Sequence, residues 1–152
     1  MIQAQQVSPE MLISGNGGAE RAGARILIVE DNDLSRKLLN DLLEAHGHSI
    51  LATGSGVEAL RLTRDAKPDL ILIDIQLSDL SGIEVIRRLK ADPSTSGIPV
   101  VVVTASLLPD IRRNAWDSGC DGFLEKPIDI DGFLHEVEEQ LKRSRTSRTP
   151  LQ

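Results

Sequence analysis

Three carboxylates, one hydroxyl and one ammonium follow short aliphatic segments of this 152-residue chain. They belong to Glu30, Asp31, Asp74, Thr104 and Lys126. Carboxylates that gather without a cation repel one another, so this set predicts a bound cation wherever the fold brings its members together. Because the ligands would be hard oxygen atoms, the cation that fits them best is Mg²⁺.

Residues of these types are equipped for phosphoryl transfer. Asp74 can attack a phosphorus atom and form an acyl phosphate, while Mg²⁺, Thr104 and Lys126 neutralise charge that builds up on the oxygens. Each residue also has a purely structural interpretation: Asp31 and Asp33 as caps of a first helix, Thr104 as the cap of a fourth, Lys126 as a solvated loop residue. Taken together, their positions favour the chemical interpretation.

The segments that must position these residues are strands. Ile26–Val29, Leu70–Ile73 and Val100–Val103 are unbroken aliphatic runs, typical of parallel strands buried on both faces. Ser49–Thr53 and Gly122–Glu125 are more polar and are predicted as edge strands.

The intervening segments have the apolar spacing of amphipathic helices. In the first, Leu34, Leu38 and Leu42 recur every four residues, with Leu39 and Leu43 beside them. The apolar positions of the other four segments are Val57 and Leu60; Ile83, Ile86 and Leu89; Leu108, Ile111 and Ala115; and Phe133, Val137 and Leu141.

Alternating strands and helices predict an α/β fold, a (βα)5 doubly wound sheet of five parallel strands. Right-handed crossovers, with the apolar strands in the middle, give the flavodoxin-like order 2-1-3-4-5. Parallel strands end at the same edge of a sheet, so the five chemical residues are expected to converge there. We expect a flexible leader over residues 1–24, the folded domain over 25–142 and a basic flexible tail over 143–152.

Composition and charge exclude several classes of protein. The chain has one Trp, two Phe and no Tyr, which argues against binding nucleic acid by aromatic stacking. The net charge is −6, of which residues 25–141 carry −9, and this acidic body disfavours binding to phosphate backbones. Cys120 is the only cysteine, which excludes an internal disulfide framework.

Five segments resemble the receiver domain of two-component response regulators. They are ILIVEDN (26–32), PDLILIDIQL (68–77), SGIEVIRRLK (81–90), IPVVVVTA (98–105) and GCDGFLEKPI (119–128). The resemblance covers about residues 25–142, and within the family it is greatest to a stand-alone division regulator.

The resemblance implies a role for each site residue. Asp74 would accept a phosphoryl group; Asp31, Asp74 and the backbone carbonyl of Gln76 would bind Mg²⁺ directly, and Glu30 through water. Thr104 and Lys126 would stabilise the phosphate, and Phe123 would rotate inward when Thr104 moves. The bond between Lys126 and Pro127 would be cis.

The sequence departs from the usual family pattern at two loops. Ser78 stands where the family usually has Pro, which is expected to loosen the loop after Asp74. The segment SLLPD (106–110) places Pro109 at the start of the fourth helix, next to the expected signalling face. Gln76 and Ser106 occupy positions that tune the lifetime of the phosphoryl group.

The resemblance implies a single-domain binding switch rather than an enzyme. A histidine kinase or histidine phosphotransfer protein would supply the phosphoryl group, and a downstream protein would bind the face of helix 4, strand 5 and helix 5, or the phosphate would be relayed. A cytoplasmic monomer or weak dimer is expected. No apolar run approaches the roughly 18 residues that a membrane span needs.

The sequence also argues against three other classes of protein. A haloacid dehalogenase-type phosphatase needs a second Asp two residues after its nucleophile, where this chain has Gln76. A flavin mononucleotide binder needs a polar phosphate loop where this chain has Glu30-Asp31. An adaptor that works without phosphorylation has no need of Asp74, Thr104 and Lys126.

Overall fold

Ten elements alternate along the chain in a computed structural model, which describes residues 23–106 and 108–148. The strands are β1 (Arg25–Val29), β2 (Ser49–Thr53), β3 (Leu70–Ile73), β4 (Val100–Thr104) and β5 (Gly122–Glu125). The helices are α1 (Asp33–Ala45), α2 (Gly56–Ala66), α3 (Gly82–Ala91), α4 (Pro109–Ser118) and α5 (Ile130–Arg148).

The strands form one parallel sheet in the order β2-β1-β3-β4-β5, which confirms the predicted topology. Every residue of the central strands β3 and β4 is buried, whereas the edge strands β2 and β5 are only partly covered. The contrast between aliphatic and more polar strands in the sequence therefore correctly separated the centre of the sheet from its edges.

The sheet separates two hydrophobic cores because successive strand residues point to opposite faces. On one face, side chains such as Leu27 and Ile71 pack with α2, α3 and α4. On the other face, Ile26 and Leu70 pack with α1 and α5, where Phe133 is fully buried. This double layer of helices is the doubly wound arrangement.

The apolar stripe of α1 differs from the prediction. Leu34 and Leu38 are 78% and 54% exposed, whereas Leu39 is 4% exposed and Leu43 is fully buried. The buried leucines lie on the adjoining stripe of the helix, about 100° further round its axis, and that stripe faces the sheet. Leu34 and Leu38 thus form an apolar strip on the surface.

Helix α5 is longer than predicted. It continues to Arg148, so the boundary expected at residue 142 lies inside a helix, and Ser144 is buried. The physical reason is that no Gly or Pro interrupts the sequence between Phe133 and Thr149. Most of the predicted leader, and residues 149–152 of the predicted tail, lie outside the described residues.

Two helix boundaries follow the expected local signals. Gly47 follows α1 with a φ of 90°, a left-handed conformation that glycine adopts without steric cost. Pro109 is at the first position of α4, where its missing N–H costs no hydrogen bond. Within the described ranges, none of the helices is both long and apolar enough to cross a bilayer.

Adjacent leucines of α1 provide a test of which stripe supports the core. We expect Leu39→Ala to lower the free energy of unfolding by about 2–5 kcal/mol, because it leaves a cavity. Leu38→Ala should change it by less than about 0.5 kcal/mol, since its side chain is exposed. Urea denaturation of the two variants measures the difference, and equal losses would contradict this packing.

Candidate functional site

The carboxyl end of β1 places Glu30 and Asp31 at one edge of the sheet. The Glu30 amide donates to the Thr53 carbonyl at 2.9 Å, and the Glu30 side chain is buried. Asp31 is exposed. The side chain that caps α1 is that of Asn32, which accepts from the Ser35 amide. Asp31 therefore does not have the capping role that the structural interpretation gave it.

Asp74 follows β3 and lies beside this turn. Its amide donates to the Val29 carbonyl at 3.0 Å, which joins the ends of two neighbouring strands. Its side chain is buried, and its Oδ1 accepts from the Gln76 amide at 3.0 Å. The Asp74 carboxylate is therefore held in a fixed orientation, with little contact with water.

Lys126 connects the two buried carboxylates. Its Nζ lies 2.6 Å from Glu30 Oε1 and 2.9 Å from Asp74 Oδ2. Burial acts to lower the pKa of Lys126, but hydrogen bonds and charge attraction from Glu30 and Asp74 outweigh it, so its pKa lies above the ordinary value. Lys126 is thus ion-paired with Glu30 and Asp74 and is not a solvated loop residue.

Thr104 and Phe123 lie on the last two strands of the sheet. Thr104 is fully buried at the end of β4, and its Oγ1 accepts from the Ser106 amide at 3.4 Å. The Thr104 carbonyl accepts from the Lys126 amide at 2.9 Å, so both residues lie at the edge that carries Asp74. Leu108, and not Thr104, is the N-cap of α4. Phe123 pairs with Val102 in the middle of β5 and is partly buried.

The oxygen donors of this edge fit Mg²⁺ in chemical type. Glu30, Asp31 and Asp74 are carboxylates, the ligands that this ion prefers. Yet over residues 23–106 and 108–148, no group of three or more His, Cys, Asp or Glu side chains is arranged to hold a metal. The two buried carboxylates bind the Lys126 ammonium, which neutralises part of their negative charge.

Asp79 fixes the loop between β3 and α3, a role that the sequence did not reveal. It accepts from the Ser55 hydroxyl at 2.6 Å and from the amides of Gly56, Val57 and Leu80 at 2.8–3.2 Å. The Ser55 hydrogen bond and then those of the Gly56 and Val57 amides hold the pKa of Asp79 well below its usual range. Ser78 is expected to loosen the loop after Asp74. The hydrogen bonds of Asp79 with residues 55–57, more than 20 positions earlier in the sequence, offset that effect.

Two further features support the loops around Asp74. A Cβ at Gly82 would lie 2.3 Å from the Asp74 carbonyl oxygen, so any larger residue would displace the loop. Arg36 donates to the Glu30 carbonyl at 2.7 Å and pairs with Asp33. Neither contact was predicted, because the sequence does not show which surface side chains reach back to a loop.

An apolar cavity of about 410 Å³ opens beside the acidic edge, between α1 and the loop that joins β5 to α5. Its lining includes Leu38, Lys126, Pro127 and Ile128. The bond between Lys126 and Pro127 is cis, the isomer that the resemblance implies. The exposed strip of α1 therefore borders, at Leu38, a cavity that Lys126 also lines.

The pairing of Lys126 predicts a pH dependence of stability. Because its pKa is raised in the folded protein, its stabilising contribution is complete below about pH 10.5, the ordinary lysine value, and is lost as the pH rises through the folded pKa. We expect Lys126→Met to lower the free energy of unfolding at neutral pH by about 1–3 kcal/mol.

Urea denaturation from about pH 9 to about pH 11.5 checks this dependence. Wild type and a control variant of an exposed lysine, Lys142→Met, should lose stability over this range. Lys126→Met should lose less stability over this range. A loss in Lys126→Met equal to that of the wild type would contradict the assignment.

Comparison with known proteins identifies the family. The model of the response regulator receiver domain matches residues 26–138. The polar-differentiation response regulator DivK of Brucella ovis is 43% identical over 116 residues, which cover 76% of this chain and 94% of DivK. The resemblance to the receiver domain family, and within that family to DivK, is therefore confirmed.

Solved structures agree with this identification. The receiver domain of the sensor histidine kinase PA1611 from Pseudomonas aeruginosa PAO1, with a magnesium ion coordinated in its active site cleft, has a TM-score of 0.75 at 26% identity, covering 80% of this chain and 99% of that one. The receiver domain of a histidine kinase from Syntrophus aciditrophicus has a TM-score of 0.77 at 28% identity, covering 85% and 98%. This chain belongs to the response regulator receiver domain family.

Proposed function

We propose that Asp74 accepts a phosphoryl group from a phosphohistidine of a histidine kinase or histidine phosphotransfer protein. The observation that supports this most is the buried Asp74 carboxylate, whose orientation is fixed by the Gln76 amide and the Lys126 ammonium. An oxygen of Asp74 attacks phosphorus and forms the acyl phosphate bond. The bond from phosphorus to the imidazole nitrogen breaks, and the imidazole leaves with the electron pair.

The residues around Asp74 supply the positive charge and hydrogen bonds that this transfer needs. Lys126 already contacts Asp74 and can follow negative charge as it moves onto the transferred oxygens. The Thr104 hydroxyl lies at the same edge and can donate to a phosphoryl oxygen, because its own proton is not committed to another described residue. Glu30 keeps the ammonium in place from the opposite side.

We propose Asp31, Asp74 and the Gln76 carbonyl as direct ligands of Mg²⁺, with Glu30 binding through water. When bound, the ion neutralises charge on the phosphoryl oxygens. The magnesium ion in the receiver domain of PA1611 supports this assignment by similarity. Glu30 and Asp74 are preorganised at the sheet edge, and Asp31 contributes an exposed carboxylate that is free of a capping role.

The donor protein is proposed to dock on the exposed strip of α1. Leu34 and Leu38 are exposed apolar residues beside a cavity whose lining continues to Pro127 and Ile128. An apolar surface next to a reactive group suits a partner that must bring its own group to the same place. A helix that presents apolar residues around its phosphohistidine would fill this cavity.

Phosphorylation is proposed to change the surface of α4, β5 and α5. Thr104 turns towards the phosphoryl group, and the space that it leaves admits the Phe123 ring, so a downstream protein binds one state in preference to the other. The phosphate can alternatively be relayed onward. The chain then acts as a binding switch and not as an enzyme, in the cytoplasm, as a monomer or weak dimer.

Acetyl phosphate with Mg²⁺ tests the phosphoryl acceptor. We expect intact-mass spectrometry to detect one added phosphoryl group on the wild type and on Asp65→Asn, a control at an exposed aspartate of α2. Asp74→Asn should remain unmodified, and Lys126→Met should react roughly 10²-fold more slowly because a charge-stabilising donor is lost. An unmodified wild type would favour the phosphorylation-independent adaptor.

Substitution on the strip of α1 tests the docking surface. The donor in this test is a phosphorylated histidine phosphotransfer protein that is active on the wild type. We expect Leu38→Ala to slow transfer from it by roughly tenfold, the loss typical of an interface anchor. Its reaction with acetyl phosphate should not change, because the site itself is intact. Leu108→Ala, an exposed leucine next to α4, is the matched control. Equal transfer rates in both variants would contradict the proposed surface.

A further inference from the structure

One cation lies over the ring that is proposed to move. The Cζ atom of Arg112, on α4, is 4.7 Å from the centroid of the Phe123 ring. This distance is within the range of cation–π attraction, where the guanidinium faces the negative face of the ring. The contact therefore joins α4 to the middle of edge strand β5.

A second contact keeps Arg112 over the ring. Its Nη1 lies 3.8 Å from Glu125 Oε2, two residues after Phe123 on the same strand. Both side chains of this pair are about half exposed, so the ion pair orients the guanidinium more than it stabilises the fold. Arg113, the next residue, pairs instead with Asp110 within α4. Of these two neighbouring arginines, Arg112 is the one that contacts the strand.

The Phe123 ring has apolar neighbours on its inner side. It packs against the core cluster that includes Val102 and Ala115. Thr104, which the proposed function moves, is fully buried two residues beyond Val102 on β4. The ring is therefore partly buried, with Arg112 contacting one of its faces and the core lying behind it. Inward rotation would carry the ring away from Arg112.

We propose that Arg112 restrains Phe123 in its unphosphorylated position, and that phosphorylation of Asp74 must break the contact between the guanidinium and the ring. This inference rests on the proposed function, in which Phe123 moves together with Thr104. Arg112 is a positioning residue: it contacts neither Asp74 nor the oxygen donors of the site. Its effect is on the balance between the two states of the protein.

The size of the effect follows from the strength of the contact. A half-exposed cation–π contact of the usual strength changes the ratio of the two states by roughly two- to fivefold. A ligand that binds only the active state gains affinity in proportion to the population of that state. Removing the guanidinium should therefore tighten the binding of a phosphoryl analogue by the same factor.

Fluorine NMR can follow the ring directly because the chain has only two phenylalanines. Protein labelled with 4-fluorophenylalanine should give one signal from Phe123 and one from the fully buried Phe133, which serves as the internal reference. The protein is titrated with beryllofluoride in the presence of Mg²⁺. In the wild type, we expect the Phe123 signal to move on saturation.

Arg112→Met removes the charge and keeps apolar bulk over the ring. We expect its half-saturating beryllofluoride concentration to fall roughly two- to fivefold, with the free Phe123 signal displaced towards its saturated position. Arg112→Lys, which keeps a cation, should lie between this variant and wild type. Arg113→Met is the matched control and should bind as the wild type does.

A double-mutant cycle separates the ring contact from other effects of Arg112, with the half-saturating concentration measured by the fluorescence of Trp116. In the background of Phe123→Leu, which has no ring, Arg112→Met should leave that concentration unchanged. If Arg112→Met binds beryllofluoride like Arg113→Met, or if its gain persists without the ring, the restraint is overturned while the proposed function stands. If the wild type does not respond to beryllofluoride, the proposed function is overturned and the restraint with it.

Discussion

The site depends on one ammonium between two buried carboxylates. Glu30 and Asp74 follow neighbouring parallel strands, so the fold forces two negative charges into a poorly solvated space. Two like charges in such a space repel each other unless a cation lies between them. Lys126 removes that cost by contacting both of them, and its position is set in turn by the backbone bond from its amide to Thr104. The Asp74 carboxylate, the Thr104 hydroxyl and the Lys126 ammonium are therefore coupled through adjacent strand ends.

The strand ends and the loops around the site are held in place by different kinds of hydrogen bond. The strand ends fix Glu30, Asp74 and Thr104 through main-chain hydrogen bonds, which side-chain motion does not alter. The loops are fixed by individual side chains, above all by Asp79, which accepts four hydrogen bonds from the N-cap and first residues of α2 and from its own loop. The site residues thus lie at the ends of strands joined by main-chain hydrogen bonds, whereas the loops around them are held by side-chain contacts.

Hydrophobic patterning predicted the strands, their order and the edge at which the site lies, because burial on both faces leaves an unmistakable aliphatic run. It did not predict the buried face of α1, since two adjoining leucine stripes satisfy the same helical period and only packing on the sheet distinguishes them. The change to basic composition after residue 142 predicts too early an end for α5, because the helix continues through that change to Arg148. The sequence does not predict the roles of Asp79, Arg36 and Arg112. Each of these residues acts through a contact with another element, and nothing in the local sequence specifies that partner.

The division of the helices between the two faces of the sheet has a consequence for the order of events. Helix α1 lies on one face, and α4 packs against the other. In the proposed function, a donor protein bound to the outer surface of α1 would leave α4 accessible, although α5 lies on the donor's face of the sheet. A downstream protein whose contacts lie mainly on α4 could then bind before the donor dissociates. Release of the donor would limit how often the receiver is reloaded, not how soon its state is recognised.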